Sequence, residues 1–257
     1  MSQNRRIKLT VEYDGTPYHG WQRQRECDSV QQRIETAIER ITGVYPNVQV
    51  AGRTDAGVHG LAQVCHFDTA SSCQLLAFKT GINSLTPASI TILKAEEVDD
   101  TFHARYSATR REYEFLLYCR REPSPHWRNR AVHIHCPLDV DAMRRAAQSL
   151  CGEHDFSAFR TSECSSSTPL CNIEFITLTQ DGPLLKLHIK GDHFLHNMVR
   201  IITGTLVDIG KGKLPENTTR KMLETLNRAD GGATIPPHGL YFLKVHHKDH
   251  EIIADTE

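Results

Sequence analysis

The sequence contains no long apolar run. Its first fifteen residues, MSQNRRIKLTVEYDG, are too polar for a signal peptide. No later segment approaches the roughly 20 apolar residues of a membrane-spanning helix. Hydrophobic residues make up 39% and charged residues 24% of the 257 positions, as in ordinary soluble globular proteins. We therefore expect a cytoplasmic protein with no membrane contact, built as one large domain or two smaller ones.

Close cysteine pairs are also missing. Of the eight cysteines, the nearest two, Cys164 and Cys171, are seven positions apart, so no CxxC pair exists. His133 and His135 alternate on a predicted strand, but no Cys or Glu stands at ligand spacing from them. We expect reduced thiols that pack as small apolar side chains, and no structural metal.

The chain has no excess of positive charge, since its formal net charge is −1. This sum does not exclude nucleic acid, because binding needs clustered cations rather than a positive total. Each cluster alone is most often a solvated surface. The clusters are Arg5-Arg6, Arg110-Arg111, Arg120-Arg121, Arg128 with Arg130, and Arg144-Arg145.

The stretch AGRTDAGVHG, at 51–60, places an acid between strand patterns at 48–51 and 61–67. Glycines and Asp55 favour a tight turn, so we expect Asp55 on a short loop that the two strands hold rigid. Such a turn alone would be typical of an ordinary hairpin with a solvated acid.

The stretch YHGWQRQ, at 18–24, interleaves two aromatics with polar and basic residues. Such a loop can stack on bases and bind phosphates, with Gln22 and Arg23 as contacts. Alternatively, Trp21 packs in the core. The residues alone favour neither interpretation.

Periodicity predicts an α+β protein made of two halves with similar element order. We place these halves at 1–106 and 107–257, and interpret them as a structural duplication without residue-level repeat. Residues 162–168 are rich in serine and predict a loop. The predicted strands are 7–13, 48–51, 61–67, 90–98, 109–118, 173–179, 184–190 and 239–245, and the predicted helices are 30–41, 73–83, 140–150, 194–209 and 218–227.

Arg200 lies in the middle of the apolar helix predicted at 194–209. Such a cation either extends to solvent or pairs with a buried acid. Spacing alone favours a solvated side chain at the edge of the apolar stripe.

Several strings together resemble one family, tRNA pseudouridine synthase A, from about Ile7 to Val245. The strings are YHGWQRQ, AGRTDAGVHG, RREYEF, GEHDFSAFR, GDHFLHNMVR and PPHGLYF, and AGRTDAGVH is highly specific by itself. The resemblance implies two ferredoxin-like α/β-sandwich halves that share an extended mixed sheet with a central active-site cleft. It also implies a homodimer that binds tRNA through both subunits and needs neither metal nor organic cofactor. The reaction implied is conversion of uridine to pseudouridine at positions 38, 39 and 40 of the anticodon arm.

The resemblance also implies roles for individual residues. Asp55 matches the catalytic acid, which serves as nucleophile or removes a proton on a glycal path. Arg200 matches its basic partner, and Tyr113 matches an active-site tyrosine that stacks on the target base. Arg53 would fill the space left by a flipped nucleotide or hold its phosphate. The further substrate-binding candidates are Gln22, Arg23, His59 and, as the apolar floor under the base, Leu240 or Phe242.

Three alternatives stay open at this point. A synthase of the same fold could modify other RNA positions, since substrate choice lies in loops. A non-catalytic RNA-binding module would not need Asp55, Tyr113 and Arg200 together. A small-molecule hydrolase using Asp55 would need a second acid or base in the loop. His59 is near, but there a histidine more simply binds the loop backbone.

Overall fold

The computed structural model describes residues 4–161, 168–248 and 252–255, so that 162–167 of the predicted serine-rich loop lie outside the described part. Two compact units divide the chain. The first is Met1–Thr109 with Phe242–Glu257, and the second is Arg110–Tyr241. Our prediction set one boundary after residue 106 and kept the last strand with the second half.

The described residues form eleven strands and five α-helices. The strands are β1 Arg5–Tyr13, β2 Gln49–Val50, β3 His59–Thr69, β4 Ile90–Val98, β5 Ala108–Cys119, β6 Val132–Ile134, β7 Gly152–Asp155, β8 Leu170–Asp181, β9 Leu184–Gly191, β10 Leu240–His247 and β11 Ile252–Asp255. The helices are α1 Val30–Thr42, α2 Leu75–Leu85, α3 Val140–Gln148, α4 Met198–Gly210 and α5 Thr218–Thr225. These elements confirm the α+β class.

In the first unit, the strands are hydrogen-bonded side by side in the order β11, β4, β1 and β3, and β2 pairs with β3. These pairings are antiparallel. Helix α1 begins where the Ser29 hydroxyl accepts the Gln32 N–H, and it ends at Gly43 with φ 76°. Its apolar face buries Ile34 and Ile38 against β1 and α2. These bounds agree with the predicted helix 30–41 to within one residue.

In the second unit, the strands are hydrogen-bonded side by side in the order β5, β9, β8 and β7, and β6 pairs with β5 in parallel. The sheet is therefore mixed. Asp139 caps α3 by accepting the Ala142 N–H, and the helix begins at residue 140, as predicted. Helix α4 is almost entirely buried, and Gly204 lets it approach Ala233, whose carbonyl oxygen would lie 1.9 Å from an added Cβ.

The predicted start of α4 at residue 194 is wrong. The helix begins at Met198, because Asn197 adopts the left-handed conformation with φ 63° and the residues before it form a turn. Strand β7 was not predicted, because its sequence GEHD has no apolar alternation. Backbone pairing with β8 holds it instead.

Candidate active site

The loop that carries Asp55 connects two paired strands, as predicted. Val50 of β2 lies opposite Cys65 of β3. Two backbone hydrogen bonds tie the loop to the segment 18–21: the Trp21 N–H donates to the Thr54 carbonyl at 3.1 Å, and the Gly57 N–H donates to the Tyr18 carbonyl at 3.3 Å. The loop is therefore held by its two flanking strands and by the segment 18–21.

Close backbone contact explains the glycine of the YHGW string. Gly20 has φ +92°, and an added Cβ would lie 2.5 Å from the Thr54 carbonyl oxygen. A side chain at Gly20 would therefore strain its own backbone and push Thr54, the neighbour of Asp55, away.

Thr54 points inward and anchors the loop from below. Its buried hydroxyl lies 2.8 Å from the Tyr13 hydroxyl. Burial raises the pKa of Tyr13 to about 12, so the phenol stays protonated as a hydrogen-bonding group. The adjacent Arg53 is exposed and Asp55 is half-buried. The Asp55 carboxylate is thereby presented from a fixed backbone.

Both aromatics of the YHGWQRQ string are buried. Trp21 has no exposed surface, and its ring packs 5.7 Å from that of Tyr13, while Tyr18 is 4% exposed. The alternative that Trp21 packs in the core is therefore confirmed.

Arg23 contacts a buried acid. Its Nη1 donates to the Glu35 carboxylate at 2.9 Å and to the Tyr45 hydroxyl at 2.8 Å. Glu35 is fully buried and also accepts the Val48 N–H at 3.2 Å. Arg23 thus stabilises the first unit, while its side chain stays half-exposed. Gln22 is partly buried beside it. Substrate contact by either residue stays a prediction.

His59 is buried at the start of β3. Its Nδ1 accepts the Gly15 N–H at 3.2 Å and lies 3.2 Å from an Asp14 carboxylate oxygen. The backbone that His59 binds is that of the turn at 14–15. These contacts give His59 a structural role. Substrate binding by His59 stays a prediction.

Tyr113 lies on β5 of the second unit, opposite Ile189 of β9. Only 8% of it is exposed, and its ring meets Phe194 edge-on at 5.1 Å and 81°. The two candidate floor residues are also buried, Leu240 at 5% exposure and Phe242 at 0%. Leu240 belongs to the second unit and Phe242 to the first.

Arg200 is half-buried in the first turn of α4. Its Nε donates to the Ile235 carbonyl at 2.9 Å, and its Nη1 donates to the Asn197 side-chain oxygen. The Thr161 hydroxyl lies within 3.5 Å of the Asn197 amide and 2.8 Å from His196 Nδ1. These contacts fix the guanidinium, so Arg200 is not a freely solvated side chain. Its pairing with Asp55 stays a prediction.

Three of the residues that shape these sites were not predicted: Tyr13, Thr54 and Asn197. The sequence signals for them are weak. Tyr13 ends an ordinary strand pattern, and Asn197 lies inside a helical periodicity. Asparagine tolerates a positive φ, and this is the one local property that favoured a helix start directly after Asn197.

Among the described residues, no three His, Cys, Asp or Glu side chains lie together as metal ligands would. None of the helices in the same ranges combines the length and hydropathy needed to cross a bilayer.

A carboxylate on a rigid loop suits nucleophilic or proton-transfer chemistry on a bound substrate. A family model described as tRNA pseudouridine synthase matches residues 9–107 and 146–248. The chain belongs to this family of RNA-modifying isomerases.

Curated relatives match over nearly the whole chain. The tRNA pseudouridine synthase A of Idiomarina loihiensis is 43% identical over 98% of this chain and 96% of its own. That of Acetivibrio thermocellus is 42% identical over 95% and 100%, and that of Aliivibrio fischeri 42% over 93% and 92%. Among solved structures, an archaeal box H/ACA sRNP complex aligns with a TM-score of 0.37 and 13% identity over 79% of this chain and 43% of that chain.

Proposed function

We propose that this chain converts uridine to pseudouridine at positions 38, 39 and 40 in the anticodon arm of tRNA. The family match over both halves and the names of the full-length relatives support the proposal. The single observation that carries it is the anchored loop that presents the half-buried Asp55. We further propose that the protein acts in the cytoplasm as a homodimer, without metal or organic cofactor.

The reaction is an isomerisation, so no atom is gained or lost overall. The C1′–N1 bond breaks, the uracil turns, and C5 bonds to C1′. The C5 hydrogen then leaves as a proton and N1 gains one. Asp55 assists either by attacking the nucleotide as a nucleophile or by removing a proton on a glycal path. Both roles need an ionised carboxylate at a fixed position, which the anchored backbone at Thr54 supports.

We assign Arg200 as the cation that keeps Asp55 ionised in the substrate complex. A nearby guanidinium favours the charged form of a carboxylate that RNA shields from water. Its contacts with Asn197 and Ile235 hold the side chain in place before substrate arrives, which lowers the cost of orienting it.

Tyr113 would stack on the target uracil, with its hydroxyl near the departing C5 proton, and its contact with Phe194 fixes the ring plane. The target base must leave its stack to be reached, and the exposed Arg53 would fill the gap or hold the flipped phosphate. Gln22, Arg23, His59 and Leu240 or Phe242 complete the proposed substrate-binding set.

Tritium release from tRNA carrying 5-tritiated uridine tests this function, because forming the C5 bond expels that hydrogen. Wild type should release tritium, while Asp55→Asn should bind the same tRNA and release none. A tRNA without uridine at 38–40 is the matched substrate control. Full release from that control would favour a synthase for other RNA positions, and release by Asp55→Asn would remove Asp55 from the mechanism.

A further inference from the structure

The segment between β5 and β6 concentrates positive charge. Residues 120–130, which we call the arginine loop, contain four arginines and one glutamate, a net charge of +3 with His126 neutral. The remaining 246 positions therefore carry −4, since the whole chain carries −1. All four arginines are exposed: Arg120, Arg121, Arg128 and Arg130.

These four arginines differ from the arginines of the protein that pair with an acid. Seven arginines elsewhere form ion pairs with a carboxylate: Arg5, Arg6, Arg23, Arg33, Arg110, Arg144 and Arg145. Within the described ranges, none of the four in the arginine loop has a carboxylate within ion-pair distance. Their positive charge is thus left uncompensated by the fold.

The arginine loop is folded rather than extended. A short 3₁₀ turn spans Pro125–Trp127, and the Trp127 ring stacks at 6.2 Å and 27° on Tyr118. The Tyr241 hydroxyl donates to the Arg130 carbonyl at 2.8 Å. Arg120 lies over the Tyr118 ring, and its Nη2 donates to the Pro123 carbonyl at 3.2 Å. The backbone that presents the guanidinium groups is therefore ordered before any partner binds.

We propose that the arginine loop binds phosphate groups of the tRNA backbone. A cluster of unpaired, exposed guanidinium groups on an ordered backbone costs folding stability through mutual repulsion, and a polyanion relieves that repulsion. Guanidinium also matches the phosphate oxygens with paired N–H donors. The inference rests on the proposed function for its choice of polyanion. It places part of the substrate affinity in one local surface of a chain whose total charge is near zero.

The test compares two double variants of equal charge. Arg128→Gln/Arg130→Gln removes two unpaired arginines, whereas Arg144→Gln/Arg145→Gln removes two exposed arginines that Asp141 and Glu216 already pair. Arg120 is left intact because its side chain bonds the loop backbone. Kd for unmodified tRNA is measured between 50 and 200 mM salt, and KM and kcat are measured by tritium release.

Loss of two phosphate contacts should raise Kd and KM at least about tenfold at low salt and reduce the slope of log K against log salt by about 1.4 to 1.8. The kcat value should stay within about twofold, since no reacting group changes. The 144/145 control should change Kd less than about threefold, because those charges are already compensated.

Two results would overturn the proposal. Equal Kd and salt slope in wild type and the 128/130 variant would place the contacts elsewhere. A fall in molar mass of the 128/130 variant to that of a monomer would instead make the arginine loop a subunit interface. Wild type that releases no tritium but shows the salt-dependent binding would refute the proposed reaction and leave the RNA contact standing.

Discussion

Replacing the Thr54 hydroxyl tests whether the Asp55 loop is anchored from inside the first unit. Thr54 and Tyr13 are 41 positions apart in sequence, and their hydroxyl oxygens lie 2.8 Å apart in a buried environment. Thr54→Val keeps the shape of the side chain and removes one partner. Tyr13→Phe removes the other partner.

Each single substitution leaves a buried hydroxyl with one partner fewer, which costs about 1–3 kcal/mol of unfolding free energy. The double variant leaves no orphaned hydroxyl at this contact, so its cost should fall below the sum of the singles by about 1 kcal/mol.

Urea unfolding of the four proteins measures this coupling, and tritium release measures its consequence for the reaction. We expect Thr54→Val to lower kcat more than it raises KM, because the loop that positions Asp55 loosens. If the loss of unfolding free energy in the double variant equals the sum of the two single losses, the hydrogen bond is refuted. An unchanged kcat in Thr54→Val would refute the role of this bond in positioning Asp55.

Three further predictions concern other residues. Burial lowers the pKa of His66 from 6.5 to about 4. The unfolded state therefore takes up the proton first, and the unfolding free energy should fall by about 3 kcal/mol between pH 6.5 and 4. His66→Asn should flatten that part of the curve of unfolding free energy against pH. Arg23→Met should lower the unfolding free energy by about 2 kcal/mol, since buried Glu35 loses its cation. A KM rise above threefold would support the proposed substrate contact of Arg23, and a smaller change would leave Arg23 a structural role only. Asn197→Gly keeps the positive φ but removes the acceptor of Arg200, so kcat should fall with little loss of Tm. Asn197→Ala should lower both kcat and Tm. It should cost about 1 kcal/mol more unfolding free energy than Asn197→Gly, because alanine is strained at a positive φ.

Elements with local boundary signals could be predicted closely. Helix α1 has a capping serine before it and a left-handed glycine after it, and β4 has the predicted bounds 90–98. Helix α4 could not be placed to the same accuracy. The residues at 194–197 continue its apolar periodicity, and the left-handed Asn197 that breaks the helix becomes visible only in the folded backbone.

The candidate site shows the same division between local and distant information. A glycine-rich turn between two strand patterns located the Asp55 loop. Its anchors could not be predicted from that stretch, because Gly20, Trp21 and Tyr13 reach it from distant positions. The environment of Trp21 was undecided for a related reason. An aromatic among polar residues has the same sequence pattern whether it faces solvent or, as here, the core.

Mapping pseudouridine at single-nucleotide resolution in tRNA treated with wild type or Asp55→Asn is the most direct test of the central claim. We expect wild type to form pseudouridine at 38, 39 or 40, wherever the tRNA has uridine there, and Asp55→Asn to form none. Equal modification by the two proteins, or modification confined to positions outside the anticodon arm, would contradict it.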